Sequence, residues 1–173
     1  MKKVSKKTSK KKSAAQNSAA RKHTVVICSS ASFYRQVIEV RDELKKLGLK
    51  VSIPLTAGKM ERSGDWRVET YKTWFADADT YKRKTFLTKH HFNKIVEGDS
   101  VLVLNYEKNG KPGYIGGAVL AEMAVGLHFN KPIYILHPIQ EDVSYKEEIL
   151  AMLPTILNGD LSQIENRIKT KKS

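Results

Sequence analysis

Apolar and polar positions along the chain switch between two periods. His23–Cys28 (HTVVIC) is a short, continuous β-branched run of the kind found in a strand covered on both faces. Phe33, Val37, Val40, Leu44 and Leu47 then recur at helical spacing until Gly48 stops the helix, and Leu49–Ile53 resumes as a second strand. The parallel crossover in this strand–helix–strand unit is expected to be right-handed. Pro54–Asp65 (PLTAGKMERSGD) has the glycine and polar content of a long surface loop, a composition common in lids. Trp66–Glu97 reads as two helices broken around Asp77–Thr80, with Tyr71, Trp74 and Phe75 on one face and Leu87, His91 and Ile95 on another; Gly98 ends it.

Ser100–Asn105 (SVLVLN) is the clearest buried strand, and Asn109-Gly110 with Pro112-Gly113 marks a turn before the apolar helix Gly116–Phe129. Pro132–Leu136 reads as a fourth strand, Glu141–Met152 as a helix, Pro154–Leu157 as a short fifth strand, and Asp160–Ile168 as a last helix capped by Asp160. This alternation predicts an α/β fold: a doubly wound, parallel, five-stranded sheet with helices on both faces, flavodoxin-like (Rossmann-like) in strand order. Ligands of such sheets sit beyond the carboxyl ends of the strands where strand order reverses. Cys28-Ser29-Ser30-Ala31-Ser32, Asn105-Tyr106 and His137-Pro138 occupy those ends, and Gly116-Gly117 opens the helix after the third strand.

Charge changes the picture only at the ends of the chain. The 173 residues carry a formal charge of +13, with 31 basic and 18 acidic residues. Nine bases and no acids lie in Met1–Lys22, and four bases and no acids in Arg167–Ser173, so the intervening body holds 18 of each sign. Residues 1–22 are too poor in apolar side chains to offset chain entropy and read as a disordered polybasic arm; residues 169–173 read as a basic tail, and 23–168 as a single domain. The arm suits weak contact with nucleic acid or an acidic surface, or is simply a solvated tail. The single cysteine excludes an internal disulfide and fits a reducing cytosol, and no apolar run approaches the ~18 residues of a membrane span, so a cytoplasmic protein is expected.

Within the body, one acid is out of place. Glu122 is the only polar residue between Ala118 and Leu127, and its neighbours at i−4 and i+4, Ala118 and Gly126, leave room beside the carboxylate. A buried acid without a partner costs several kcal/mol, which makes Glu122 a candidate for chemistry. Gly116-Gly117 allows backbone amides to reach an anion at a helix start, or serves a tight turn; Ser29, Ser30 and Ser32 offer hydroxyls and amides for the same purpose, or cap the first helix. Cys28 reads as strand-end packing, because a phosphatase-type C-x5-R loop would need arginine where Tyr34 stands. His91, like His137, suits either a core hydrogen bond or a pocket wall. No metal-binding, P-loop or dinucleotide motif is present, so neither a metal nor a cofactor is called for.

These residues carry a resemblance. The segments DSVLVLN, YIGGAVLAEMA and NKPIYIL between Asp99 and Pro138, with VVICSSASF as a looser match, are similar to the nucleoside 2-deoxyribosyltransferase superfamily, which includes deoxynucleoside 5′-monophosphate N-glycosidases; together they cover about 50 of the 173 residues. The resemblance implies a flavodoxin-like fold in which the glutamate of the G-x-x-x-x-E helix, here Glu122, attacks C1′ of a nucleoside or nucleotide and releases the base. By the same resemblance Asn105 contacts the sugar or holds Glu122, Tyr114 lies in the substrate site, and Gly116, Gly117, Ser29, Ser30 and Ser32 take hydroxyls or a 5′-phosphate.

The chain also departs from that pattern. The family's aspartate about six residues before the glutamate is replaced by Gly116, its second acid by Lys89-His90-His91-Phe92-Asn93, and the aromatic closing the first strand by Ile27-Cys28. Either His90 or His91 is a candidate general acid in place of the second acid, and His91 is the one expected to be catalytic. The leading expectation is therefore an N-glycosidase or deoxyribosyltransferase acting on a small-molecule nucleoside or nucleotide. The alternatives are a non-catalytic nucleotide-binding module of the same fold and a protein tethered to nucleic acid by its arm. Relatives often complete their sites across subunits, which makes a homo-oligomer part of the expectation.

Overall fold

A computed structural model describes residues 21–170, apart from 142 and 144. The basic arm, except Arg21 and Lys22, and residues 171–173 of the tail lie outside the described residues. Five strands, β1 (Thr24–Ser29), β2 (Lys50–Ser52), β3 (Ser100–Leu104), β4 (Ile133–Ile135) and β5 (Thr155–Ile156), form one all-parallel sheet in the order β2-β1-β3-β4-β5. The helices are α1 (Tyr34–Lys46), α2 (Leu55–Ser63), α3 (Val68–Tyr71), α4 (Tyr81–Glu97), α5 (Gly117–His128), α6 (Lys146–Ala151) and α7 (Ser162–Thr170). This is the expected doubly wound, flavodoxin-like α/β architecture.

The period-2 alternation of each strand sorts its side chains into two cores. Val25, Ile27, Leu102, Leu104, Tyr134 and Leu136 pack with Val37, Val40 and Leu44 of α1 and Ile164 of α7 on one face. Val26, Cys28, Val101, Val103, Ile133 and Ile135 face Ile95 of α4, Val119 and Met123 of α5 and Ile149 of α6 on the other. Cys28 is thus the last side chain that β1 sends toward α4 and α5. A close approach fixes α5 there: a Cβ added to Gly126 would lie 3.0 Å from Val101 Cγ2. The chain continues from β2 on one side of β1 to β3 on the other, so the order reverses at β1 and β3, and α1 and α5 begin beside that junction.

Several boundaries differ from the sequence expectation. Pro54–Asp65 is a helix, α2, rather than a loop: Ala57 and Met60 share its buried face, and Gly64, with φ +70°, supplies the left-handed stop. Arg41 of α1 pairs with Glu61 of α2 through hydrogen bonds of 2.7 and 2.8 Å, which link this segment to α1. The first helix expected within Trp66–Glu97 shrinks to α3 and a 3-10 turn at Thr73–Phe75. The helix expected over Glu141–Met152 begins only at Lys146, whereas α7 runs to Thr170, taking in the first two residues of the expected tail. Asp160 accepts from the Ser162 N–H at 3.0 Å, as its capping role requires. Among the described residues no helix is long and apolar enough to cross a membrane.

Candidate active site

A cleft of about 210 Å³ opens beyond the carboxyl ends of β1 and β3. Its walls come from the β1–α1 turn (Ser29, Ser30, Tyr34), α2 (Leu55, Met60), the segment around α3 (Tyr71, Lys72, Trp74), α4 (Lys84, Leu87, His91) and the start of α5 (Gly116, Gly117, Glu122). This is the position that strand order predicts.

Glu122 projects from the second turn of α5 into the deep part of the cleft. Its side chain is 15% exposed, yet Oε2 is sealed from solvent and has no hydrogen-bond partner. Burial pushes the carboxyl up to about 7, opposed by the Cys28 thiol and by the charge of Lys84. At neutral pH the group is therefore divided between carboxylic acid and carboxylate.

Cys28 and His91 close the cluster. Cys28 Sγ lies 3.5 Å from His91 Nε2, which in turn lies 3.9 Å from Glu122 Oε2. Burial pulls the imidazole down to about 4, helped by the charges of Lys94 and His90, so the ring is neutral at pH 7. Burial, then the charge on Glu122, raises the Cys28 thiol well above its usual range, and the same causes raise the Tyr34 phenol. At pH 7 the cluster is thus a thiol, a neutral imidazole and a half-ionised carboxyl. The neutral ring packs against Glu122 at 3.9 Å without a hydrogen bond to Oε2.

The mouth of the cleft is cationic. Lys72, Lys84 and Lys108 all line it, and burial followed by the charges of Lys108 and Lys84 lowers the Lys72 ammonium. Lys108 Nζ reaches Ser30 Oγ at 3.4 Å and sits 4.7 Å from the centre of the Tyr114 ring; Lys84 Nζ lies 5.7 Å from the Trp74 ring. α5 starts beside them at Gly116, a cap residue with no side chain to bond the first amides. Amides at the positive end of a helix and three ammonium groups thus line one cleft, a combination whose chemistry suits an anion.

The two glycines of that turn have separate roles. A Cβ on Gly116 would come within 2.9 Å of Tyr114 Oη, so Gly116 makes room for the tyrosine, whereas a Cβ on Gly117 would meet nothing within 4 Å. Only at Gly117 is the approach left open to a ligand.

Of the residues singled out from the sequence, Glu122, His91, Ser29, Ser30, Tyr114, Gly116 and Gly117 line this one cleft. Ser32 does not: it is exposed, and its N–H reaches Ser30 Oγ at 3.5 Å, which is the capping arrangement. Asn105 is fully buried away from the wall. Its amide donates to the His137 carbonyl at 2.9 Å and accepts from the His137 N–H at 2.8 Å, joining the ends of β3 and β4. Both ends of the amide are used at this junction, and Asn105 is not part of the cleft wall.

Sequence reasoning missed Tyr34, Lys72, Lys84 and Lys108 as cleft residues and Cys28 as a neighbour of Glu122. Tyr34 and Cys28 flank the β1–α1 turn and were within reach of the topological argument; the lysines come from three separate segments and carry no shared spacing. No protein-family model and no curated protein matches this chain.

Proposed function

We propose that this chain cleaves the base–sugar bond of a nucleoside 5′-monophosphate or nucleoside, with Glu122 as the nucleophile. The observation that carries the reading is a carboxyl on the cleft wall with one oxygen buried and unpartnered, a costly arrangement that substrate chemistry accounts for. An ionised oxygen of Glu122 forms a bond to C1′ as the C1′–N bond breaks, and the base leaves with the bonding electrons and takes up a proton. Water then hydrolyses the glycosyl ester, or a second base accepts the sugar.

The cationic mouth supports a phosphorylated substrate. Three ammonium groups and the amides at the start of α5 match a 5′-phosphate, and an anion there relieves the mutual repulsion of the lysines. The neutral His91 and the Cys28 thiol pack beside the carboxyl and keep water from its inner oxygen. A panel of nucleosides and 5′-monophosphates, with released base followed by chromatography, tests the proposal. Base release is expected from a monophosphate, falling at least ~10³-fold in Glu122→Ala; no release, or full activity in the variant, contradicts it.

One observation favours a second reading, a module that binds a nucleotide and leaves it intact: Glu122 is the only carboxylate among the described residues lining the cleft, so no second acid stands ready to protonate the leaving base. A monophosphate that raises the melting temperature and is recovered unchanged selects this reading.

A further inference from the structure

We propose that Cys28, His91 and Glu122 form a Zn²⁺ site at the floor of the cleft, and that the bound ion ties down Glu122 and blocks its chemistry. The inhibitory half rests on the function proposed above, whereas metal binding stands apart from it.

Sγ of Cys28, a ring nitrogen of His91 and an oxygen of Glu122 all lie within 4.8 Å of one another. Tetrahedral Zn²⁺, with Zn–S of about 2.3 Å and Zn–N of about 2.0–2.1 Å, separates its sulfur and nitrogen ligands by about 3.5 Å. Cys28 Sγ and His91 Nε2 already stand 3.5 Å apart. Two ligands at about 2.0 Å are separated by about 3.3 Å, and Glu122 Oε2 is 3.9 Å from Nε2, within reach of a small rotation of one glutamate side chain. That oxygen has no other partner. The three donors come from three packed elements, the end of β1, α4 and α5, so the main chain holds them together without a loop.

Charge and donor type choose the ion. One thiolate and one carboxylate balance a dication, so the filled site is neutral in a buried setting; binding releases the thiol proton and that of the carboxyl where it is protonated. Sulfur with imidazole selects Zn²⁺ over Mg²⁺ or Ca²⁺. The fourth position faces the cleft, where His91 and Glu122 form part of the wall, and takes water.

Cobalt is the direct probe, because the full chain has a single cysteine and any thiolate-to-metal charge-transfer band reports Cys28 alone. The full-length protein, freed of metal with a chelator, is titrated with Co²⁺. The expected result is one tetrahedral Co²⁺ per chain with a near-ultraviolet thiolate band, displaced by one equivalent of Zn²⁺. His91→Ala and Glu122→Gln should each weaken binding at least about tenfold, since even groups one shell out from a metal matter that much. Absence of the thiolate band, even when Co²⁺ is present throughout unfolding and refolding, overturns the site, as does a band of undiminished affinity in a folded His91→Ala variant. Base release in chelator with no loss on adding one equivalent of Zn²⁺ overturns the inhibition. If no base is released under any condition, the cobalt spectrum still decides the metal site.

Discussion

At the amino-terminal ends of β1 and β3, buried and half-buried polar groups are paired: His23 Nε2 meets Ser100 Oγ at 2.9 Å, the Thr24 N–H donates to Asp99 at 2.8 Å, and Arg21 pairs with the same aspartate. Lys131 closes the adjoining turn by donating to the Gly98 carbonyl at 2.6 Å. At the carboxyl ends of the same strands, Cys28, His91 and Glu122 are packed together with one carboxyl oxygen and one ring nitrogen left without partners. One sheet therefore has an end built for stability and an end that bears a polar cost. A folded chain tolerates such a cost where function uses it, which is why the opposite end supports no functional reading of its own.

The contrast can be broken most severely within the carboxyl end itself, because Asn105 lies there and yet belongs with the paired groups. Asn105→Ala leaves the half-buried His137 N–H and carbonyl without their partners, which costs about 2 kcal/mol and lowers the melting temperature on the order of 5 °C. Calorimetry should show that loss, while turnover of the surviving folded protein at saturating substrate stays near that of the parent chain. A large loss of turnover without loss of stability would place Asn105 with Glu122 after all.

Glu122 and His91 sharpen the comparison through pH. The Glu122 carboxyl rises from 4.5 to about 7 on folding, so its contribution favours the folded state at acid pH and is lost as pH climbs from about 4.5 to 7. His91 falls from 6.5 to about 4, so its contribution is present above pH 6.5 and lost as pH drops toward 4. Each amounts to something on the order of 3 kcal/mol, with opposite sign, so the two nearly cancel between pH 4.5 and 6.5. Single variants unmask them: the melting temperature of Glu122→Gln should rise with pH over 4–6.5, and that of His91→Gln should fall over 4.5–7. Flat profiles in both variants would mean that neither group is perturbed.

The lysines are expected to have a smaller and more selective effect. Lys108→Ala should raise KM for a 5′-monophosphate about five- to tenfold, equivalent to about 1–1.4 kcal/mol, and leave the unphosphorylated nucleoside unaffected. Equal effects on both substrates would count against an anion site. Smallest are the glycines. Gly116→Ala forces the Tyr114 hydroxyl aside at a cost of about 1 kcal/mol, whereas Gly117→Ala gains up to about 1 kcal/mol of helix preference; denaturant melts of the two variants measure the difference.

The sheet, its order and the face of α5 that carries Glu122 were legible in the sequence because each rests on a local signal, such as β-branched runs, helical periodicity or one acid in an apolar helix. α2 was not, since Thr56, Gly58 and Ser63 read as loop residues while the burial of Ala57 in the core with α1, and of Met60 beside the cleft, is a tertiary effect. Asn105 was placed correctly at a strand end, but sequence carries no sign of which way an amide points, and His137 lies 32 residues on. The lysine mouth was invisible for the same reason: Lys72, Lys84 and Lys108 converge only after the sheet brings α4 and the loops after β2 and β3 to one edge. The helical spacing of His91 with Leu87 and Ile95 suits a core position or a pocket wall alike, and the fold makes it both: the ring is buried beside Cys28 and lines the cleft.

If Glu122 is the nucleophile at C1′, the most direct measurement is the mass of the protein quenched in acid during turnover of a 5′-monophosphate, followed by peptide mapping. A glycosyl phosphate adduct on the peptide bearing Glu122, absent from Glu122→Gln, is the predicted result. Base release with no adduct, and at an undiminished rate in Glu122→Gln, would contradict it.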